Sequence, residues 1–225
     1  MTKEKKRFPC ELGLVFGLLL ASFAVTLMVH SDLGASTLSG FPLALSIAFP
    51  IFSFGIWNFA VQTMMILILV ISTRSFKLGY IVAFFIGNVY GLLLDFYRPI
   101  VDRLPRPLLA LDALYYFSGV LLLALGASFF MRCKLPVLPF DTFTRDFSAH
   151  FRLRIKVVKT VYDVSSVAVT LLISIRIGYF WGIVGPGTIF CALALGSFIQ
   201  AICGWFDRHL VFEPFVPLVA RMMKL

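Results

Sequence analysis

Charge is scarce in this 225-residue chain: Asp, Glu, Lys and Arg together make up 14% of it, and only 11 positions are acidic. A soluble domain carries about a quarter of its residues as ions, because water must be met by polar surface on every side. A water-soluble globule is therefore excluded. Histidine is also rare, at 3 residues, and the 4 cysteines (Cys10, Cys133, Cys191 and Cys203) form no CxxC pair and no Cys/His cluster at metal-ligand spacing. Free thiols and no metal site are expected. The chain lacks HExxH, GxSxG, a Ser/His/Asp order and a phosphate-cradling glycine loop, and His150 and His209 stand in basic loops without ligand neighbours. An enzyme is not expected, nor is a cofactor.

What the chain has instead is apolar bulk: 60% hydrophobic residues, 25 phenylalanines and a mean hydropathy of +0.96. One globular core does not need so many, so much of this surface must face lipid. The net charge of +9 would suggest nucleic acid on a soluble domain. Here the basic residues fall in short loops between apolar runs, where they set membrane topology.

A helix crosses the hydrocarbon layer in about 20 residues. Six uncharged or nearly uncharged runs approach that length, at 12–30, 54–72, 78–96, 112–131, 158–176 and 182–205. The first follows Lys3-Glu4-Lys5-Lys6-Arg7 and imitates a secretory signal, but it is a full span without a small-residue cleavage site, and a retained helix is expected. With a cytoplasmic N-terminus, sixteen of the 20 Lys and Arg lie inside, leaving Arg98, Arg103, Arg106 and Arg176 outside. That bias predicts a multi-pass protein with both termini cytoplasmic. Residues 33–50 are uncharged but carry Gly34, Gly40, Pro42 and Pro50, which argue against a straight span; a re-entrant or interfacial element on the outer side is expected.

The halves resemble one another. A shift of 102 positions lays Gly17 on Gly119, Leu33-Gly34 on Leu135-Pro136, Ser39 on Asp141 and Phe41 on Phe143. With small gaps, Trp57-Asn58 falls on Tyr162-Asp163 and Gly87 on Gly196. Three spans per half put the second half in the membrane upside down relative to the first. The expected fold is all-α, a 3+3 inverted repeat with re-entrant or interfacial segments after the first and fourth spans. The repeats run over 1–107 and 108–225, the latter with a cytoplasmic tail, within one membrane domain. Plain gene duplication without transport is the alternative.

The segment Ser31-Asp32-Leu33-Gly34-Ala35-Ser36-Thr37-Leu38-Ser39-Gly40, with Trp57-Asn58 heading the next helix, resembles the first repeat of the YczE/YitT group of bacterial membrane proteins. Leu135-Pro136-Val137-Leu138-Pro139-Phe140-Asp141, Tyr162-Asp163-Val164-Ser165 and Gly185-Pro186-Gly187-Thr188 are similar to its second repeat. The likeness is to the YczE-like members, which lack a cytoplasmic C-terminal domain. It implies a bacterial inner-membrane location and leaves the substrate open.

Ionisable groups within lipid cost several kcal/mol unless paired or wetted. Asp163 lies about one turn into the fifth span with Ser166 on its face, where a carboxylate can bind a cation, carry a proton or hold an amine; the alternative is an interfacial acid paired to Lys159. Asn58 and Gln62 share one face of the second span and offer donors and acceptors to a polar solute, or else bond to neighbouring helices. Asn88 lies within Gly87-Asn88-Val89-Tyr90-Gly91, a spacing of close helix packing, repeated by Gly13 and Gly17. Asp141, Arg145 and Asp146 suit either a gate ion pair or a solvated amphipathic loop helix. His30 and Asp32 end the first span, with His30 a pH sensor or a plain interfacial residue.

The leading reading is a small secondary transporter or permease moving a small polar or cationic solute by alternating access. Its substrate site would be Asn58, Gln62, Asn88, Asp163 and Ser166, its gate Asp141 and Arg145, and no residue would be catalytic or bind metal. The alternatives are a substrate-binding membrane subunit of a vitamin-type ABC importer and a non-transporting membrane partner docking through residues 132–159 or 212–225. Expected partners are a small-molecule substrate, the lipid bilayer and either further copies of the chain or another membrane protein; nucleic acid is not expected.

Overall fold

The computed structural model describes residues 6–133, 138–179 and 181–213. Eight helices follow one another: α1 (Cys10–His30), α2 (Thr37–Ala48), α3 (Phe54–Thr73), α4 (Leu78–Val101), α5 (Leu109–Cys133), α6 (Pro139–His150), α7 (Ile155–Ile177) and α8 (Pro186–His209). Six of them, all but α2 and α6, are long and apolar enough to cross a membrane. Each overlaps one of the six expected runs; most ends extend by a few residues because polar and charged side chains continue a helix toward the headgroup region, whereas α8 starts only at Pro186, inside the run expected from 182. The Leu135–Pro136 turn lies outside the described residues.

All-helical is a slight overstatement. Two short strands, β1 (Lys6–Pro9) and β2 (Leu210–Glu213), pair in parallel with Phe8 opposite Phe212. They form because Phe8, Phe129, Phe206 and Phe212 collect in one ring cluster at the ends of α1, α5 and α8, which holds the flanking chain extended. The strands were missed because hydropathy reads them as charged flank.

Small residues set the central contact. A Cβ added at Gly17 would meet the Phe130 ring, one at Gly126 would lie 3.0 Å from Ala21 N, and one at Gly119 2.7 Å from Met28. As α1 advances, its partners on α5 recede, so the two helices run antiparallel. Around this pair, α4 packs on α1 and α8 on α5, α2 packs on α7 and α6 on α3. A core of Leu18, Val25, Leu43, Phe54, Leu94 and Phe130 joins α1 to α5. Ion pairs sort the connections into two ends: Arg132–Asp207 and Lys77–Asp146 at one, Arg98–Asp102 and Arg106–Asp32 at the other.

The two short helices begin deep in the bundle. After α1, Asp32 (φ 59°) and Gly34 (φ 120°) turn the chain back on itself, and Gly34 fits because Thr188 leaves no room for a side chain. The segment then runs extended beside the start of α8, with Ala35 N donating to Ile183 O (3.0 Å) and Gly187 N to Leu33 O (2.9 Å). Ser36 caps α2, its Oγ accepting from Ser39 N. Thr37 is then level with Asp163, eight residues into α7, which is about 12 Å at 1.5 Å per residue. Gly40 is level with Thr170, so α2 runs parallel to α7. On the other side Pro139 opens α6 against Gly87 and Gln62, the latter eight residues into α3, and Phe143 and Phe147 continue down α3 beside Ile66 and Leu69.

Candidate functional site

The starts of α2 and α6 bring polar atoms together at depth. On α7, Asp163, Ser166, Thr170 and Ser174 recur at helical spacing and face α2. Thr37 Oγ1 donates to Asp163 Oδ1 at 3.4 Å, and Thr170 satisfies its hydroxyl on Ser166 O (2.7 Å). Ser166 Oγ and Ser174 Oγ are buried without a hydrogen-bond partner. Asp163 is half-buried, and its hydrogen bond goes across the chain halves to Thr37. Lys159, the partner expected four residues back, makes no ion pair with it.

The start of α6 meets amides on α3. Gln62 Nε2 donates to Asn58 Oδ1, and Asn58 is 4% exposed. Gln62 Oε1 is left buried and unpartnered next to Gly87 and Pro139, and Thr142 Oγ1, in the first turn of α6, is likewise unpartnered. No hydrogen bond or ion pair among the described residues joins the amide set to the Asp163 set. The ring of Phe140 on α6 does touch Tyr162 on α7, with centroids 4.8 Å apart, so the sets are bridged by aromatic packing.

Asn88 stands apart from both. It lines a groove of about 70 Å³ between α3 and α4 with Gly55, Phe59 and Asp95. Asp95 was passed over in the sequence because it sits at the edge of an apolar run. It caps α3: Ser53 Oγ and Gly55 N (2.8 Å) both donate to its carboxylate. An acid is favoured there by the helix's positive end.

Asp141, Arg145 and Asp146 all lie on α6. Asp141 and Arg145 are exposed and form no ion pair with each other; Arg145 Nε instead bonds its neighbour Asp146 (2.9 Å). Asp146 is the buried one, taking Lys77 Nζ at 3.1 Å and the Tyr80 hydroxyl at 3.0 Å from the start of α4. Burial works to raise its carboxyl, but the bonds from Arg145 and Lys77 outweigh this and hold it below the usual carboxylate range. Lys77 and Tyr80 bear no mark in the sequence beyond lying in and just after the short polar stretch, residues 72–77, between the second and third apolar runs.

At the opposite end a polar vestibule of about 170 Å³ opens between the turn after α1 and the end of α4. Arg106 is held there by Asp112 (2.8 Å) and Ser31 O (3.2 Å), with Asp32 at 4.0 Å. The Tyr179 hydroxyl donates to Asp32, and burial together with that carboxylate pushes the phenol up to about 12. These residues are spread over 30–32, 98–112 and 179; sequence reasoning weighed His30 and Asp32 at the end of the first span, counted Arg98 and Arg106 only as topology markers, and passed over Asp102, Asp112 and Tyr179.

A family model described as a family of unknown function, DUF6198, matches residues 9–204. No curated protein and no solved structure matches the chain.

Proposed function

We propose that this chain, which belongs to the DUF6198 family of unknown function, is a small permease that moves a polar solute by alternating access. The observation that carries the reading is the start of α2 beside Asp163, about 12 Å into α7, with the start of α6 at the same depth beside Gln62 on α3. Two short helices that begin at mid-depth aim their positive ends and unused backbone N–H groups at the bundle centre. Transporters built from inverted repeats bind solute at such broken segments.

Packing supports the inverted repeat. The first helices of the halves, α1 and α5, are antiparallel, α1 on α4 answers α5 on α8, and α2 on α7 answers α6 on α3; the contact of α3 with α4 has no comparable counterpart between α7 and α8. On this reading α2 and α6 are re-entrant, entering from opposite faces. Asp163 and the Asn58–Gln62 pair are equivalent stations, and rocking of one half against the other exposes them in turn. Asp141 and Arg145 flank the path on the α6 side. The bias of sixteen basic residues to one end supports cytoplasmic termini in a bacterial inner membrane. The likeness to the YczE/YitT group is part of the same proposal.

Reconstituted protein screened for uptake of small polar solutes tests it. The expected result is uptake that falls at least about tenfold in Asp163→Asn and in Asn58→Ala. Undiminished flux in both variants removes these residues from the path.

A further inference from the structure

The geometry points to a second site: we propose that the vestibule at the end of α4 binds a small monocarboxylate, and that His30 takes up a proton as the anion binds. The inference does not need transport to hold, because it concerns a binding equilibrium at one end of the bundle.

Two arginines in the vestibule differ in what they have left to offer. Arg106 is occupied by Asp112, Asp32 and Ser31 O. Among the described residues, Arg98 has only Asp102, at 3.7 Å, and the Phe54 ring at 5.9 Å, and its side chain is 39% exposed. Most of its forked N–H donors are therefore available, and that fork matches a carboxylate. Val29, Leu43 and Ile47 form an apolar wall alongside, enough for a short alkyl chain. About 170 Å³ is several times the ~30 Å³ share of one water molecule in the liquid and well below a drug-sized pocket.

Arg98 pairs with Asp102, and Arg106 with Asp112 and Asp32, so with a neutral imidazole the vestibule has no net positive charge to offer an anion, and the attraction rests on the open donors of Arg98. The His30 side chain is 6% exposed, with Nδ1 3.5 Å from Asp102 Oδ1 and Nε2 buried without a partner. Its surroundings are Asp102 and Arg98 from α4, Tyr115 from α5 with rings 5.7 Å apart, Asp32 after α1, Arg106 before α5 and Tyr179 after α7; α2 contributes only Leu43 and Ile47. Asp102 is thus shared by two cationic candidates. A carboxylate that engages Arg98 draws it from an already long contact with Asp102, and the released charge favours an imidazolium. Proton and anion then promote one another's binding by the same factor, as linkage requires.

The test is titration calorimetry on the full chain in nanodiscs with potassium propionate, which stays ionised at both about pH 6 and about pH 8, in two buffers of different protonation heat. We expect affinity at least about fivefold tighter at the lower pH with net proton uptake, and no binding of propionamide or propylammonium. Arg98→Gln should weaken binding at least about tenfold, as should Ile47→Glu, which places a like charge on the exposed wall. His30→Gln should bind with one affinity at both pH values and without proton uptake. Melting curves confirm that the variants are folded. Absence of propionate binding, equal affinity at the two pH values in the wild type, equal binding of propionamide, or full binding by folded Arg98→Gln or Ile47→Glu overturns the proposal. No flux enters the measurement, so its failure leaves the permease reading standing, and a failed uptake screen leaves this site standing.

Discussion

The last two helices of each half are built on opposite terms. In the first half α3 and α4 touch backbone to backbone: a Cβ on Gly91 would lie 2.6 Å from Gly55 O, and Asp95 ties the start of α3 to α4. In the second half α7 and α8 scarcely touch. Gly196 and Gly204 have nothing within 4 Å of where a Cβ would stand, Ser197 and Gln200 are exposed, and Leu193 is 78% exposed. Gly87, which the proposed repeat lays on Gly196, is packed against Pro139 and Gln62. On that proposal, corresponding helices make a sealed pair in one half and an open pair in the other. The difference teaches that rigid support belongs to α3 and α4, while α7, which carries Asp163, can shift without breaking a backbone contact to α8.

The largest test of that difference exchanges the small residues. Gly91→Leu drives a side chain into the Gly55 carbonyl, a backbone atom that cannot swing aside, and should cost about 3 kcal/mol or more or prevent folding. Gly196→Leu meets open space and should change stability by less than about 0.5 kcal/mol. Thermal or denaturant melting of the purified variants checks both; equal effects would dissolve the contrast between the halves.

The next test compares the two membrane acids. Asp95 accepts from Ser53 and Gly55 and closes the free end of α3, so Asp95→Ala should cost about 2 kcal/mol. Asp163 holds a single hydrogen bond at 3.4 Å, and Asp163→Ala should cost well under that in the same melting assay while uptake is lost. A larger stability loss at Asp163 than at Asp95 would make it a structural acid.

These residues also mark how far the sequence could be read. The six spans were legible because an uncharged run of about 20 residues has few fates other than crossing lipid. The departure at residues 33–50 was legible from Gly34, Pro42 and Pro50, each of which breaks a straight helix. Asp163 and the Asn58–Gln62 pair stood out because polar groups in apolar runs are costly. Pairings across helices were not legible. That Asp146 meets Lys77 and Tyr80 rather than Asp141 meeting Arg145 depends on helix rotation and offset, which hydropathy does not encode. For the same reason Arg98 and Arg106 read only as outer loop charges and Asp102 was passed over, and the vestibule that they form with His30 emerged only from the fold.

The smallest expected effect separates the two short helices by how their far ends are held. The chain after α2 is fastened without charge, by Trp57 Nε1 donating to Phe49 O (3.1 Å). The end of α6 is fastened by Asp146, whose carboxyl Arg145 and Lys77 hold below its ordinary value against the opposing effect of burial. A carboxyl lowered by folding stabilises the folded state in full above the ordinary carboxylate range, and that stabilisation fades as pH falls toward the lowered value. Lys77 is 55% exposed, so screening limits the gain to about 1 kcal/mol. Wild-type melting temperature should therefore decline as pH falls through the acid range, and Asp146→Asn should start lower at neutral pH and lose that part of the slope. Trp57→Phe, which removes the uncharged tie at α2, should lower stability by a similar amount with the pH slope intact. If the slope survives Asp146→Asn, the acid sensitivity lies elsewhere, and the two short helices are not held by different chemistry.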